Sequence, residues 1–353
     1  MMREGSKIEK FPDTFLDYIP EPSIGPLNYK NGLARSFYNN RPEVSPIYAL
    51  LKVTDRCSSN CSYCAHAGKL VDSSEVNLET LKKVIDQFAE AGVISVNITG
   101  GEPLMRDDIS ELSGYIKKCG LFPILLTNGI LLRKRIKEIA SAELGMVIIS
   151  VDSVDPENYK KARGVDIHPV LDGIDALLEL GNDAPVITVT SVITRHNLND
   201  LEQTLSYFSD RNIGVELCPY HHNGRWEDDQ LSPLSPSDYL QLVQKLKSLK
   251  DSSSSLINSH QYLDNFVNFT FNRRSVPDNF RCYSGFTTIY IDSKLNVRSC
   301  WSQGLPTAGN LHDERLVDLL NNSKMKKMRS KIKKMQCERC WLLCTAEISL
   351  KWQ

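Results

Sequence analysis

The sequence has no excess of charge of either sign. Its 353 residues include 42 Lys and Arg against 43 Asp and Glu, which gives a formal net charge of -1. Proteins that hold nucleic acid or an anionic membrane through their overall field usually carry a strong basic excess, and this chain has none. We therefore expect neither nucleic acid nor a membrane among its partners.

Long apolar segments are also missing. No uninterrupted hydrophobic run approaches the roughly 20 residues that a helix needs to cross a bilayer. The chain starts MMREGSKIEKFPDTF, without the apolar core of a secretory signal peptide behind its charges. The sequence therefore predicts a cytoplasmic protein, in which thiols stay reduced and a disulfide framework is not expected.

Cysteine, by contrast, is abundant and clustered, with ten residues in all. The front group is Cys57, Cys61 and Cys64, in the segment CSSNCSYC. Cytosolic cysteines at such short gaps are typical of metal ligands. Three thiolates leave one iron of a [4Fe-4S] cluster open, whereas a closed zinc site needs four ligands. A zinc site completed by His66 is the alternative.

Apolar, β-branched segments alternate with helical patterns over residues 47–217. The predicted strands are Ile47–Val53, Val93–Ile98, Phe122–Leu126, Met146–Val151, Val186–Ile193 and Ile213–Leu217. The predicted helices are Leu78–Ala91, Ile109–Lys118, Leu131–Ala140, Val170–Leu180 and Leu198–Phe208. This order indicates βαβ units, which right-handed crossovers curl into an α/β fold with a partial (β/α)6 TIM-like barrel. Active sites of such barrels lie at the C-terminal ends of the strands.

A short motif follows each of the first four strands. In chain order they are Cys57-Ser-Ser-Asn-Cys61-Ser-Tyr-Cys64, Gly100-Gly101-Glu102, Thr127-Asn128-Gly129 and Ser150-Val151-Asp152. This ordered set resembles the radical S-adenosylmethionine (SAM) enzymes over roughly residues 45–220. The resemblance implies a [4Fe-4S] cluster on the three front cysteines, whose open iron binds SAM. It also implies reductive cleavage of SAM to a 5′-deoxyadenosyl radical that abstracts hydrogen from a substrate.

The same resemblance assigns residues to SAM. It implies that the SAM-binding set comprises Tyr63 at the adenine, Gly100 and Gly101 at the amino group with Glu102 nearby, Asn128, Ser150 and Asp152 at the ribose and carboxylate region, and Arg163 at the carboxylate. Two interpretations without a role in SAM binding stay open. Asp152 could cap the helix that begins near Pro156, and Arg163 could be a solvated arginine at a helix end.

Candidate substrate residues follow the sixth strand. Cys218 stands where the molybdenum-cofactor GTP cyclase relatives usually have methionine before proline, so it packs against the adenine, donates a hydrogen atom, or is a buried inert thiol. His221, His222 and Arg225 come next, as substrate contacts or a base, unless they belong to a polar surface loop. Cys119, at the polar end of a helix, is interpreted as structural.

A second cysteine group lies in the tail. A strand over Phe286–Ile291, a turn at 292–294 and a return strand form a hairpin with Cys282 and Cys300 at its base, and helical sequence over Leu316–Met335 leads to the last three cysteines. The tail resembles the SPASM/Twitch extension of radical SAM enzymes, although Leu295 stands where that family usually has glycine. The resemblance implies one auxiliary [4Fe-4S] cluster on Cys282, Cys300, Cys337 and Cys340, with Cys344 as the spare or the true fourth ligand. Zinc is again the alternative.

These features predict an N-terminal extension (1–45), a radical SAM partial barrel (46–250) and a small hairpin-plus-helix domain for the auxiliary cluster (251–353). The expected function is hydrogen abstraction from a small molecule, by dehydrogenation, epimerisation or rearrangement in natural-product or cofactor biosynthesis. Flavodoxin or ferredoxin is the implied reductant.

Four other functions are weighed against this one. The short segment before Ile47 disfavours a peptide-modifying maturase with its own leader-binding module. The ending Lys351-Trp352-Gln353, in place of a diglycine tail, disfavours GTP cyclisation. A non-catalytic iron-sulfur electron carrier and a zinc-stabilised binding module complete the alternatives.

Overall fold

The computed structural model describes residues 12, 14–64, 70, 75–220, 236–251, 255–266, 269, 276–301, 305–337 and 340–353. Its strands form one open sheet in the order β6-β5-β4-β3-β2-β1-β7-β8-β9. The strands are β1 (Tyr48–Thr54), β2 (Ser95–Gly100), β3 (Phe122–Thr127), β4 (Met146–Ser150), β5 (Val186–Ile193), β6 (Gly214–Pro219), β7 (Thr288–Ile291), β8 (Asn296–Arg298) and β9 (Gly309–Asn310). The first six strands are parallel, which confirms the predicted α/β fold with a partial, unclosed barrel.

Helices connect and flank these strands. They are α1 (Pro26–Asn39), α2 (Leu78–Glu90), α3 (Ile109–Lys118), α4 (Ile136–Ser141), α5 (Pro156–Arg163), α6 (His168–Leu178), α7 (Leu201–Ser209), α8 (Pro236–Asp251), α9 (His260–Asp264), α10 (Leu316–Leu319), α11 (Ser323–Lys333) and α12 (Ala346–Lys351). Within the described ranges, none of the helices combines the length and apolar composition that crossing a lipid bilayer would require.

Alternation along each strand divides the core into two layers. On β1, Ala49, Leu51 and Val53 pack in the main core with the buried faces of the flanking helices. Tyr48 and Leu50 belong to a second apolar cluster, which also includes Ile124 and Ile148 of other strands. Because successive strand residues point to opposite faces, one face of the sheet is committed to helix packing and the other lines an interior space.

The tail hairpin joins the barrel sheet. Strand β7 pairs in parallel with β1, with Tyr48 opposite Thr288 and Leu51 opposite Ile291. Strand β8 then pairs antiparallel with β7, as the hairpin pattern predicts. The tail cysteines at the hairpin base are therefore held next to the strand that leads into the front cysteine loop.

Two predicted helices differ from the observed ones. Residues 131–135 form turns, and α4 begins only at Ile136, while the Arg135 guanidinium donates to the carbonyls of Leu104 and Arg106. The predicted helix over Leu316–Met335 is two helices. The Asn322 side chain starts the second by accepting from the Met325 N–H at 2.8 Å.

Candidate active site

The front cysteine loop follows β1 and docks on the end of α5. The Asn60 N–H donates to the Arg163 carbonyl at 3.2 Å, and the Ser62 N–H donates to the Ala162 carbonyl at 3.0 Å. Gly164 ends the helix with φ of +70°, and a Cβ there would lie 2.7 Å from the Asn60 carbonyl oxygen. Glycine therefore supplies both the left-handed turn and the close approach of the two backbones.

A buried ion pair fixes this contact. Arg163 donates to both carboxylate oxygens of Asp152, from Nε at 2.8 Å and from Nη2 at 2.9 Å. The Tyr63 hydroxyl donates to Asp152 at 2.5 Å, and the Val192 N–H donates to it at 2.9 Å. Arg163 is 6% exposed, so the interpretation as a solvated helix end is wrong. Asp155 is the residue that caps α5, so the capping interpretation of Asp152 is wrong as well.

Gly100 and Gly101 run against the segment that leads into the cysteine loop. The Gly101 N–H donates to the Thr54 carbonyl at 2.9 Å, and the Glu102 N–H donates to the Arg56 carbonyl at 2.7 Å. A Cβ on Gly101 would lie 2.2 Å from the Arg56 carbonyl oxygen, so no side chain fits. The glycines thus bring two chain segments together at the mouth, and their contact with SAM stays a prediction.

Glu102 is fully buried and joins the ends of β2 and β3. Its carboxylate accepts from the N–H groups of Leu104 at 2.9 Å and Asn128 at 2.7 Å, and from the Thr127 hydroxyl at 2.7 Å. Burial raises the pKa of Glu102, and these three hydrogen bonds oppose the rise by favouring the charged form. Its carboxylate is therefore engaged in positioning the Asn128 turn.

Asn128 in turn contacts the cysteine loop. Its side-chain nitrogen donates to the Ser59 hydroxyl at 3.0 Å and lies 4.0 Å from the Cys57 sulfur. Its side-chain oxygen accepts from the Ile130 N–H at 3.0 Å. Ser150, the remaining residue predicted at SAM, is half-buried at the end of β4, where it pairs with Thr190.

The three front thiols share one small region but differ in exposure. Cys57 is buried, Cys61 is half-buried and Cys64 is exposed. Burial raises the pKa of Cys61 to about 11, while the Arg163 guanidinium opposes the rise, and the charges of the other two thiols add to it. Across the part of the chain that the structure describes, no three His, Cys, Asp or Glu side chains converge closely enough to hold a single metal ion.

All five tail cysteines come together. Burial raises the pKa of Cys282 well above its usual range, and the nearby charges of Cys340, Cys300 and Cys337 raise it further. Burial likewise raises the pKa of Cys344, followed by the charges of Cys340, Cys300 and Cys218. The four cysteines predicted as ligands therefore surround one another, and Cys344 lies on the side of Cys218.

The geometry of the hairpin turn explains why the SPASM/Twitch pattern usually has glycine at the position of Leu295. Leu295 has φ of +63°, in the left-handed region that side chains rarely adopt. Its N–H donates to the Asp292 carbonyl at 2.9 Å, which closes the turn. Its side chain is fully buried in the main core. This chain therefore places a packed leucine where glycine would be free of strain.

A cavity of about 640 Å³ occupies the interior of the partial barrel. Cys64 and Tyr63 of the front loop border it, and so do Cys218 and Cys344. Its other lining residues are Phe15, Tyr48, Leu50, Lys52, Asn97, Gly100, Leu126, Ile148, Thr190, Val192, Glu216, Pro219, Tyr220, Tyr290, Asp292, Arg298, Trp301, Leu342 and Leu343. A cavity of this size matches sites that enclose small organic molecules.

Several candidates lie elsewhere or were missed. His221, His222 and Arg225, as well as His66, lie outside the described residues. Cys119 ends α3 on the surface, with its sulfur 3.8 Å from Asp86 Oδ1, away from the cavity.

Sequence reasoning missed the buried polar side chains of the cavity wall. In the sequence, such a side chain is recognisable as a charged or amide residue at an inward-facing position of an otherwise apolar strand.

The open parallel sheet, the cysteine loop after β1 and the cavity beneath it give an α/β fold in which cysteines of two groups border one cavity. Residues 51–208 match the radical SAM superfamily, and residues 282–341 match the SPASM iron-sulfur cluster-binding domain. The chain therefore carries a radical SAM domain followed by a C-terminal SPASM domain. Members of the radical SAM superfamily are enzymes that use an iron-sulfur cluster and SAM, so the two domains disfavour the zinc and electron-carrier alternatives.

Several curated relatives of this chain are GTP 3′,8-cyclases. GTP 3′,8-cyclase of Peptoclostridium acidaminophilum is 33% identical over 213 residues, which cover 58% of this chain and 65% of that protein. GTP 3′,8-cyclase of Aquifex aeolicus is 31% identical over 204 residues, which cover 55% and 63%. The chain thus spans a little under two thirds of the length of these relatives.

Solved structures share the fold. Streptococcus suis SuiB bound to S-adenosylmethionine superimposes with a TM-score of 0.67 at 16% identity, covering 91% of this chain and 76% of that one. Native anSMEcpe with bound AdoMet gives 0.63 at 18% identity, covering 84% and 89%. At such identities the likeness extends to the architecture alone.

Proposed function

We propose that this enzyme cleaves SAM reductively and abstracts a hydrogen atom from a small molecule held in the cavity of the partial barrel. The observation that carries the proposal is that Cys64 and Cys344, one from each cysteine group, border the same cavity. A molecule bound there would contact both groups at once. The volume of about 640 Å³ supports a small-molecule substrate.

Cys57, Cys61 and Cys64 would hold the SAM-binding [4Fe-4S] cluster. When bound and reduced, that cluster supplies the electron that breaks a carbon-sulfur bond of SAM and so provides the radical that takes hydrogen from the substrate. Flavodoxin or ferredoxin is the proposed source of the electron.

The chain's own residues hold and shield this chemistry. The Asp152–Arg163 pair fixes the cysteine loop against α5, and Asn128 orders the same loop from β3. Leu126, Ile148 and Val192 line the cavity with apolar surface, which excludes water from a reactive radical. Positioning and water exclusion are the protein's contribution to cofactor chemistry of this type.

The tail group has its own proposed role. Cys282, Cys300, Cys337 and Cys340, with Cys344 as the spare or the fourth ligand, would hold the auxiliary [4Fe-4S] cluster. Such a cluster beside the cavity supplies either an electron acceptor or a substrate ligand. The first role fits dehydrogenation and the second fits rearrangement.

One anaerobic experiment tests the proposal. Protein rebuilt with iron and sulfide is analysed for both elements, reduced with dithionite, mixed with SAM and assayed for 5′-deoxyadenosine by chromatography. We expect about eight iron atoms per chain, for two four-iron clusters, and formation of 5′-deoxyadenosine. Iron without 5′-deoxyadenosine would contradict SAM cleavage. To identify the substrate class, the small-molecule and the peptide fractions of a cell extract are added separately. The fraction that accelerates 5′-deoxyadenosine formation contains the substrate.

A further inference from the structure

Glu216 has no role in holding the cysteine loops, yet it lies in the cavity wall. It is on β6, opposite Thr190 of β5, and only 3% of it is exposed. Its Oε1 atom is buried and has no hydrogen-bond partner among the described residues. A buried carboxylate oxygen without a partner is costly, so its retention indicates a partner that arrives with a ligand.

Asn97 of β2 presents a second open atom to the same cavity. Its side-chain nitrogen donates to the Tyr48 hydroxyl. Its side-chain oxygen is buried and also lacks a partner within the described ranges. The open oxygen of Asn97 is a hydrogen-bond acceptor, and so is that of Glu216 when this acid is charged, so a ligand that satisfies both atoms must bring donors.

In the described part of the cavity wall, the two cations Lys52 and Arg298 do not pair with Glu216. Lys52 forms an ion pair with Asp55, and Arg298 lies 3.8 Å from Asp292. Each cation therefore has its own carboxylate, and Glu216 is an additional acid. Burial raises the pKa of Glu216 well above its usual range, and the charge of Glu347 raises it further, so a cation beside Glu216 is needed to favour its charged form.

We propose that Glu216, assisted by Asn97, binds an amino group of the substrate, so that the substrate is a small organic cation. This inference rests on the proposed function, because it places the substrate in the barrel cavity. A protonated nitrogen gives Glu216 a charge-assisted hydrogen bond. The apolar wall, with Leu50 and Leu126, accommodates the carbon skeleton. Because Cys218 follows Glu216 by two residues on the same face, the amino group would lie about 7 Å below the mouth.

Three probes of matched shape test the inference by calorimetry on the rebuilt holoprotein. Benzylamine is a cation at neutral pH, benzyl alcohol is neutral and benzoate is an anion. We expect benzylamine to bind at least about 10-fold more tightly than the other two. Equal binding of the three, or no binding of benzylamine, would overturn the inference without any variant having to fold.

Variants locate the binding site. Glu216→Gln removes the charge at constant size and should weaken benzylamine about 10- to 100-fold while leaving benzyl alcohol unchanged. Glu202→Gln removes an exposed charge on α7, which is paired with Lys245 of α8, and should leave all three affinities unchanged. Benzylamine affinity unchanged in Glu216→Gln would overturn the inference. Formation of 5′-deoxyadenosine by the wild-type protein, measured without probes, tests the proposed function separately.

Discussion

The two cysteine groups differ in how they are enclosed. The front group has three thiols that range from buried Cys57 to exposed Cys64, on a loop held by side chains from other elements. The tail group has five thiols, none of them fully exposed, on a hairpin base and the segment before α12. An incomplete, partly open set suits a centre that exchanges a ligand, whereas a fuller, enclosed set suits a centre that stays intact.

The cavity connects the two groups because β7 pairs with β1. Without that pairing, the tail would be a separate appendage, and its cysteines would have no fixed relation to the front loop. With it, Cys64 and Cys344 border one space. The comparison therefore predicts that losing front thiols ends the reaction, whereas losing tail thiols alters a reaction that still starts.

The largest expected effect comes from the front group. Replacing Cys57, Cys61 and Cys64 together by Ala should abolish 5′-deoxyadenosine formation, because no cluster can then present an open iron to SAM. Cys119→Ala is the matched control, since Cys119 lies on the surface at the end of α3. Product from the triple variant at the wild-type rate would refute the ligand assignment.

Variants of the tail cysteines test how the tail group differs from the front group. Cys282→Ala should lower the iron content by about half and retain part of the SAM cleavage, because the thiols of Cys340, Cys300 and Cys337 surround Cys282. Iron analysis of Cys337→Ala beside Cys344→Ala identifies the fourth ligand. The residue whose loss leaves iron unchanged is the spare. A Cys282→Ala protein with full iron would contradict the grouping.

The ion pair beneath the front loop should matter for stability. Asp152→Asn leaves the buried Arg163 without its counter-charge, and we expect the free energy of unfolding to fall by about 3–5 kcal/mol. Denaturant titration measures this. The control is Glu179→Gln, which breaks an exposed pair with Arg133 and should cost less than about 1 kcal/mol. Equal effects of the two substitutions would show that burial of the first pair has no consequence.

A smaller, pH-dependent effect on stability is expected from Glu347, which follows the tail cysteines in the chain. Burial raises the pKa of Glu347 to about 7, although hydrogen bonds from Ser259 oppose the rise. The fold therefore favours the neutral acid, and its stability falls as pH rises toward 7. Between about pH 5.5 and 8 the wild type should lose about 2 kcal/mol relative to Glu347→Gln, measured by anaerobic denaturant titration. A difference that stays constant with pH would refute the shift.

Local pattern predicted much of this molecule. The strands of the first 220 residues and the motifs at their ends follow from apolar runs, turns and cysteine spacing. The predicted bounds of Val186–Ile193 and of Ile109–Lys118 are those observed. These elements depend mainly on neighbours in the chain, which a single sequence displays.

What the sequence did not predict depends on distant partners. The parallel pairing of β7 with β1 joins residues more than 200 positions apart, and nothing in the hairpin specifies its outer neighbour. The engagement of Asp152 by Arg163 requires the position of α5, and the missing partner of Glu216 is visible only once the cavity is built. The motifs therefore indicated the chemistry, and the three-dimensional contacts supplied the candidate substrate residues.

The most direct test of the account is electron paramagnetic resonance of reduced Cys282→Ala protein, in which the front cluster is expected alone. Addition of SAM should change the spectrum, because SAM would ligate the iron that Cys57, Cys61 and Cys64 leave open. A spectrum that SAM leaves unchanged would contradict the central claim.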